Sequence, residues 1–333
     1  MKIGITGHSG LLGEAIIRSN ECLWPYSNEI LKSHKADLRY EDLKFDETPD
    51  IVIHCASKVG GIKANINKGQ QFYEDNTLIN RTVLDWCHKN RTKLVTVLST
   101  CIYPDADFML KNCEMTSMNN HEIRDFQCSE HEKYVAWIGK EENIHAGPPP
   151  VTNAGYAYSK RKLHVEADAL TSVYGIPTLQ VVPNNLFGAN DNFDIENSHV
   201  IPAMIHKIFL AKEKNEMSVS FFGTGHEIRE FTYANDAADR ILWLIRNSAV
   251  GTYNIGNTEP ITMHSLAMSI KRILGYKGSI IFTGEMSGQL AKPTSSKKLI
   301  QAGYVFEQFN FENRLEFVCN QFLKDYPNVR GIK

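Results

Sequence analysis

The chain has 333 residues, 42% of them hydrophobic and 22% charged, with a formal net charge of −2 at neutral pH. Such a length can bury a large core, as one elaborate α/β domain or two joined lobes. The near-neutral balance argues against a nucleic-acid partner but leaves room for a local cationic groove that would hold a diphosphate. No apolar run reaches the 18 residues of a membrane span, and the first apolar segment gives way to Arg18-Ser19-Asn20-Glu21 rather than to a leader pattern. The cytosol is the expected compartment. Seven cysteines, an odd number without CxxC spacing, speak against a disulfide framework or a structural zinc site, so no metal is expected.

The first element is the β-prone run Lys2-Ile3-Gly4-Ile5-Thr6, which feeds Gly7, Gly10 and Gly13 and then the apolar-periodic stretch Leu11, Leu12, Ala15, Ile16, Ile17. Strand, tight turn and helix follow one another. Glycine permits positive φ and lets backbone approach a pyrophosphate, which then sits on N–H groups at the positive end of the helix. The second strand falls at Glu29-Ile30-Leu31-Lys32-Ser33-His34-Lys35. An NAD enzyme commonly carries an acid at the end of this strand; the basic and small polar residues Lys32, Ser33, His34 and Lys35 favour the 2′-phosphate of NADP.

Asp50–Ala56 and Leu94–Ser99 are continuous apolar runs of the kind buried on both faces of a parallel sheet, and Asn76–Asn90 between them has helical periodicity. Ser99 is expected to end the fourth strand. A polar stretch from Asp105 to Gly147 then reads as an insertion, either a lid or a surface elaboration. A helix beginning around Tyr156 closes at Gly175, and Thr178–Val182 is a further buried strand. After Pro183 the texture shifts to loops and shorter elements, with one clear helix capped by Thr262 and closed by Gly275. The alternation predicts a Rossmann-type doubly wound α/β sheet with a smaller α/β lobe. The expected partition is 1–182 plus about 233–256 for the cofactor domain, and about 183–232 plus 257–333 for the lobe.

Tyr156 and Lys160, one helical turn apart, share a face, so the ammonium is expected to favour the phenolate and make the phenol a proton donor or acceptor at neutral pH. With Ser99 at the sheet edge, the three form a proton-relay set.

Longer blocks carry a family resemblance. They are Lys58-Val59-Gly60-Gly61-Ile62-Lys63-Ala64-Asn65, Leu98-Ser99-Thr100-Cys101-Ile102-Tyr103-Pro104, Pro183-Asn184-Asn185-Leu186-Phe187-Gly188, Asp191-Asn192-Phe193 through Asn197-Ser198-His199-Val200-Ile201-Pro202, and Phe222-Gly223-Thr224-Gly225 through Arg229-Glu230-Phe231. Over nearly its whole length the chain resembles the extended short-chain dehydrogenase/reductases. Within them it is similar to the branch that epimerises C3 and C5 of GDP-4-keto-6-deoxy-D-mannose and reduces C4, giving GDP-L-fucose.

The resemblance implies NADP(H) as cofactor, a GDP-linked 4-keto sugar as substrate and a homodimer paired through the helices from Asn76 and Tyr156. It implies that Ser99, Tyr156 and Lys160 serve the reduction, while Cys101 as base and His199 as acid serve the epimerisations, a nearby cation depressing the thiol pKa. Asn185, Lys207, Phe222, Arg229 and Lys292 are implied at the nucleotide sugar. The cofactor set expected is Gly7, Ser9, Gly10, Leu11, Leu12, Gly13, Ser33, His34, Lys35, Asp37 and Leu38, with Lys160 and His199. Lys207 and Phe222 stand where other members carry arginine and tryptophan, and Ser99 and Tyr156 are farther apart than is usual. A rival expectation keeps C4 reduction of a related GDP-4-keto sugar, such as a heptose or dideoxy sugar, with restricted or no epimerisation. A dehydratase would carry an acid beside Ser99, where this chain has Thr100 and Cys101, and a catalytically silent dinucleotide sensor would not need the relay set.

Overall fold

A computed structural model describes residues 1–23, 28–105, 139–284, 289, 291–306 and 310–332. Six parallel strands form the main sheet: β1 (Lys2–Thr6), β2 (Glu29–Lys32), β3 (Ile51–His54), β4 (Lys93–Val97), β5 (Thr178–Val182) and, far along the chain, a strand at Gly251–Asn254. Their order is β2-β1-β3-β4-β5 and then Gly251–Asn254. The order reverses between β1 and β3, and the carboxyl ends of strands at such a switch point form a ready-made crevice.

Both faces of the sheet are covered, which explains the unbroken apolar runs. On one face, α1 (Leu11–Leu23) lies beside the helix Ala234–Arg246, and Ile3, Ile5, Ala15, Ile16, Ala238 and Ile241 are fully buried between them. Each such isoleucine contributes roughly 1.5–3 kcal/mol. On the other face, α2 (Ile62–Asn67) leads into α3 (Gly69–Asn90), which crosses α4 (Ala154–Ser172). A Cβ on Gly155 would fall 2.0 Å from the Gly69 carbonyl oxygen, so only glycine allows the two helices to start in contact.

The remaining strands form a three-stranded sheet, from β6 (Asn185–Phe187), β8 (Ile228–Tyr233) and β10 (Pro260–Thr262), and a pair, β7 (Ser218–Phe221) with β11 (Ser279–Phe282). The strand at Gly251–Asn254 is thus β9. Phe187, Phe193, Phe231 and Phe322 fill a core under α5 (Val200–Glu213). The helix α6 is Ala234–Arg246, and β8 runs into it without a loop, tying this lobe to the main sheet. The helix α7 (Met263–Leu274) has the expected ends: the Thr262 hydroxyl accepts from Ser265 N, and Gly275 is left-handed at φ 68°.

Three boundaries differ from the sequence expectation. The helix expected from Asn76 starts at Gly69, and the one expected at Tyr156 starts at Ala154. Strand β4 stops at Val97, so Ser99 lies beyond it, capping a single 3₁₀ turn, Thr100–Ile102. Leu98 N still donates to Val181, after which the Ser99 side chain turns to accept from Cys101 N, which ends strand geometry. Most of the expected 105–147 insertion, with Cys113, Cys128 and Trp137, lies outside the described residues.

Candidate active site

The glycine turn is built from contacts that exclude a side chain. Gly7 has φ 66°, and a Cβ there would lie 2.7 Å from Ala56 N; a Cβ on Gly13 would lie 2.4 Å from the Gly7 carbonyl oxygen. Gly10 N donates to that same carbonyl at 3.0 Å. The cradle therefore fits a dinucleotide: no side chain can stand at Gly7 or Gly13, and the turn opens a helix start that favours phosphate. Ser9 is exposed at its tip and Leu11 half-buried, whereas Leu12 belongs to the core and can meet a cofactor only through its backbone.

A buried chain of polar groups links this turn to α4. Asn80 Nδ2 donates to the Ser159 carbonyl at 3.3 Å, so its Oδ1, 3.1 Å from His54 Nε2, must accept. His54 therefore carries its proton on Nε2, and Nδ1 accepts from the Thr6 hydroxyl at 2.9 Å. Burial, with Lys160 nearby, pushes the His54 imidazole down to about 3, so it stays neutral.

At the end of β2, Ser33 is buried, Lys35 exposed, and His34 exposed with Nε2 2.8 Å from the Asp46 carboxylate. Asp37 is held by Arg39, whose side chain reaches both carboxylate oxygens and Asp75 besides. That bonding draws the Asp37 carboxyl down to about 2. Leu38 is buried, and its carbonyl accepts from Thr82.

One cavity of about 340 Å³ gathers Ser99, Cys101, Tyr156 and His199 with Asn185, Lys207, Phe222, Arg229 and Lys292. These residues come from the 3₁₀ turn, α4, the start of α5, β6, the loop after β7, β8 and the segment before Thr294, and the fold brings them to the mouth of the switch point. Lys160 lies just behind, its Nζ donating to the Val97 carbonyl at 2.8 Å and standing 5.7 Å from the Tyr156 ring centre.

The electrostatics correct two expectations. Burial, reinforced by Cys101, holds the Tyr156 phenol well above its ordinary range, against a hydrogen bond from Ser57 that pulls it down. Burial likewise brings Lys160 down to about 8. No phenolate is favoured here: desolvation dominates, and Tyr156 is kept as a phenol, a proton donor. Burial also raises the Cys101 thiol, although Ser99, Lys292, Lys160 and Arg161 all pull it down. The cations pull the thiol in the expected direction, but burial outweighs them and the net shift is upward. The His199 ring is reachable from the cavity, yet the protein around it lowers its pKa and favours neutral imidazole.

At the far end of the cavity, Arg229 donates to the Ile228 and Gln289 carbonyls at 2.7 and 2.9 Å. Burial brings its guanidinium down to about 10, and burial together with Arg229 brings Lys292 down to about 8. Two desolvated cations, one of them further depressed by the other, favour an anion between them, the property a diphosphate site needs. Asn185 donates to the Glu230 carbonyl at 2.9 Å, Lys207 is half-buried on α5, and Phe222 is 45% exposed at the mouth.

Sequence reasoning missed the carboxylates that shape this end. Glu227 accepts from Thr224 N and Gly225 N at 2.9 and 3.0 Å, fixing the turn beside Phe222. Glu230, 1% exposed, accepts from the backbone and hydroxyl of Thr294 and so anchors the segment bearing Lys292. Their one visible signal was two acids bracketing Arg229 in a stretch that is otherwise strand-like.

The family model for the NAD dependent epimerase/dehydratase family matches residues 3–256. The chain is 31% identical to GDP-L-fucose synthase of Dictyostelium discoideum, over 98% of this chain and 96% of that protein. It is 32% identical to GDP-L-fucose synthase of Sinorhizobium fredii, over 91% and 90%. Among solved structures it is similar to a GDP-L-fucose synthetase from Naegleria fowleri bound to NADP, with a TM-score of 0.79 and 28% identity, covering 99% of this chain and 94% of that one.

Proposed function

The chain belongs to the NAD dependent epimerase/dehydratase family and, within it, to the GDP-L-fucose synthases, and we propose how its own residues divide the work. It is an NADPH-dependent enzyme that epimerises GDP-4-keto-6-deoxy-D-mannose at C3 and C5 and reduces C4 to give GDP-L-fucose. The observation that carries the assignment of residues is the single cavity joining a proton-donor phenol, a thiol, an imidazole and a cation pair.

The 4-keto group acidifies the hydrogens at C3 and C5. At each of these carbons Cys101, as thiolate, takes the proton from one face to leave an enolate and His199, once protonated, gives one to the opposite face; solvent then resets the thiol and the imidazole before the next epimerisation. The raised thiol makes Cys101 a base only when Lys292 and Lys160 support the thiolate, so the cations serve chemistry as well as binding. The Gly7–Gly13 turn would hold NADPH, which when bound would supply the hydride that C4 receives. Tyr156, held as a phenol, gives its proton to the alkoxide that results, while Ser99 steadies the carbonyl oxygen and Lys160 balances the phenolate left behind. Asn185 orients the sugar, Arg229, Lys292 and Lys207 hold the diphosphate, and Phe222 covers the base. Gly7, Ser9, Gly10, Leu11, Leu12, Gly13, Ser33, His34, Lys35, Asp37 and Leu38 would hold the cofactor, with Lys160 and His199 completing the set. The lobe formed by 183–232 and 257–333 is the sugar-binding part, and 1–182 with 233–256 the cofactor part.

We place the enzyme in the cytosol, a reducing compartment that suits the free cysteines among the described residues. A homodimer is favoured by an open, mainly apolar groove of about 1200 Å³ over α3 and α4, where Tyr73, Val151, Tyr158 and Val165 are exposed.

Incubation with GDP-4-keto-6-deoxy-D-mannose and NADPH in D₂O tests the reaction. The expected result is NADPH oxidation with deuterium at both C3 and C5. Oxidation without deuterium would leave a C4 reductase and remove the roles given to Cys101 and His199.

A further inference from the structure

Asn254, the last residue of β9, is fully buried behind the cavity, and every polar atom of its side chain is used. Its Nδ2 donates to two carbonyls, Gly139 at 2.7 Å and Ser295 at 2.9 Å. Those bonds fix the amide's orientation and turn Oδ1 toward Tyr103, whose hydroxyl donates to it at 2.7 Å. The backbone N–H of Asn254 donates to Glu141 Oε1, also at 2.7 Å.

Two of these partners sit close in sequence to groups that line the cavity. Tyr103 is two residues beyond Cys101 in one rigid turn, where Ile102 N bonds to Ser99 O, Tyr103 N bonds to Thr100 O, and Arg161 Nε holds the Ile102 carbonyl at 2.7 Å. Ser295 is three residues beyond Lys292, and its N–H bonds to the Gly139 carbonyl. Gly139 meets that segment so closely that a Cβ would lie 2.1 Å from the Pro293 carbonyl oxygen. Glu141, in the stretch that returns from the 105–147 insertion, closes the arrangement.

We propose that Asn254, clamped by Tyr103 and Glu141, is a positioning residue that locks the Cys101 turn against the Lys292 segment and so keeps thiol and ammonium within reach of each other. The proposal rests on the role given above to Cys101 in epimerisation. The groups facing Cys101 are Ser99 from its own turn, Tyr156, Lys160 and Arg161 from α4, and Lys292; those facing Lys292 are Arg229, Cys101 and Asp105. Of the cations around the thiol, Lys160 and Arg161 are anchored by carbonyls of β4 and of the turn itself. Lys292 sits on a segment that Glu230 holds to β8 and that Asn254 ties to the Cys101 turn. A loosened clamp lets the two drift apart, and burial then pushes the thiol up with less opposition.

The test compares wild type with Tyr103→Phe, Glu141→Ala and Glu141→Gln. One readout is the pH midpoint of Cys101 alkylation by iodoacetamide, followed on the Cys101 peptide by mass spectrometry. The other is deuterium uptake at C3 and C5 of GDP-4-keto-6-deoxy-D-mannose. Tyr103→Phe and Glu141→Ala are expected to move the midpoint up by about 0.5 pH unit or more and to slow uptake at pH 7 by about threefold or more. Glu141→Gln, which keeps an acceptor, is expected to match wild type. A wild-type midpoint in both Tyr103→Phe and Glu141→Ala would overturn the proposal, whatever happens to uptake. A shifted midpoint in an enzyme whose wild type takes up no deuterium would uphold the clamp and defeat the assignment of Cys101 as the epimerisation base. Glu141 is only half-buried, so Glu141→Ala provides the reading if Tyr103→Phe does not fold.

Discussion

The two ends of the site are held together by opposite means. The cofactor end is backbone: glycines at 7 and 13 press against main-chain atoms, and the groups beneath them form a neutral hydrogen-bonded chain through Thr6, His54 and Asn80. The proposed nucleotide-sugar end is side chain: Arg229 crowds Lys292, Glu230 braces the segment that bears Lys292, and Glu227 fixes the turn beside Phe222. Backbone contacts tolerate no substitution but carry no charge cost. Buried cations tolerate changes of shape but are strained until an anion arrives, so this end is costly alone and gains most from its ligand.

The hardest blow to the contrast falls on the turn. Gly13→Ala puts a methyl group 2.4 Å from the Gly7 carbonyl oxygen. A fluorescence titration should show NADPH affinity lower by about 100-fold or more, equivalent to roughly 3 kcal/mol. Near-native affinity would mean that the turn has slack and that the cofactor end is not held by backbone fit. At the other end, Arg229→Gln removes one of the crowded cations. Its KM for the GDP-sugar should rise about 10- to 100-fold with NADPH affinity unchanged, as expected for loss of a charge-assisted contact. If NADPH binding fell equally, the two ends would not be separate.

Much of this was legible in the sequence, for reasons that differ between the two ends. The cofactor turn occupies seven consecutive residues, and its demands fall on residue type, so Gly7, Gly10 and Gly13 announce it directly. The strands were readable because burial on both faces leaves no polar alternation, and α7 because Thr262 and Gly275 mark its ends. The proposed sugar site takes single residues from segments more than 190 positions apart, from Ser99 to Lys292, and only resemblance could gather them. Burial was the quantity sequence could not supply. A lysine one turn from a tyrosine suggests an activated phenolate, whereas the folded environment desolvates both groups and leaves a phenol. The same ignorance hid Asn254 and Glu141, whose importance depends on what stands behind the cavity.

The smallest effect lies between the two ends, in the loop that carries the chain toward His199. Asp191 is buried, its Oδ1 accepts from Asn192 N at 2.8 Å, and burial raises its carboxyl from an ordinary 3.8 to about 7. The folded protein thus holds this proton more tightly than the unfolded chain does. The resulting stability is intact below about pH 4 and is lost as pH rises toward 7. Asp191→Asn should therefore leave Tm nearly unchanged at pH 4 and raise it by about 2–5 °C at pH 8. An equal shift at both pH values would show that the variant acts through packing rather than ionisation.

The chain from Thr6 to Ser159 has a consequence for where protons can travel. Thr6 gives to His54, His54 gives to Asn80, and Asn80 gives to a carbonyl that has nothing to pass on. Reversing that current would require the amide to flip away from Ser159, and an extra proton on the ring would have to go on Nδ1, where it meets the Thr6 hydroxyl that now donates. The link that joins the cofactor turn to the catalytic helix is therefore an insulator. It transmits position without conducting charge, and acid–base traffic stays on the cavity side of the sheet, where solvent and substrate can supply it.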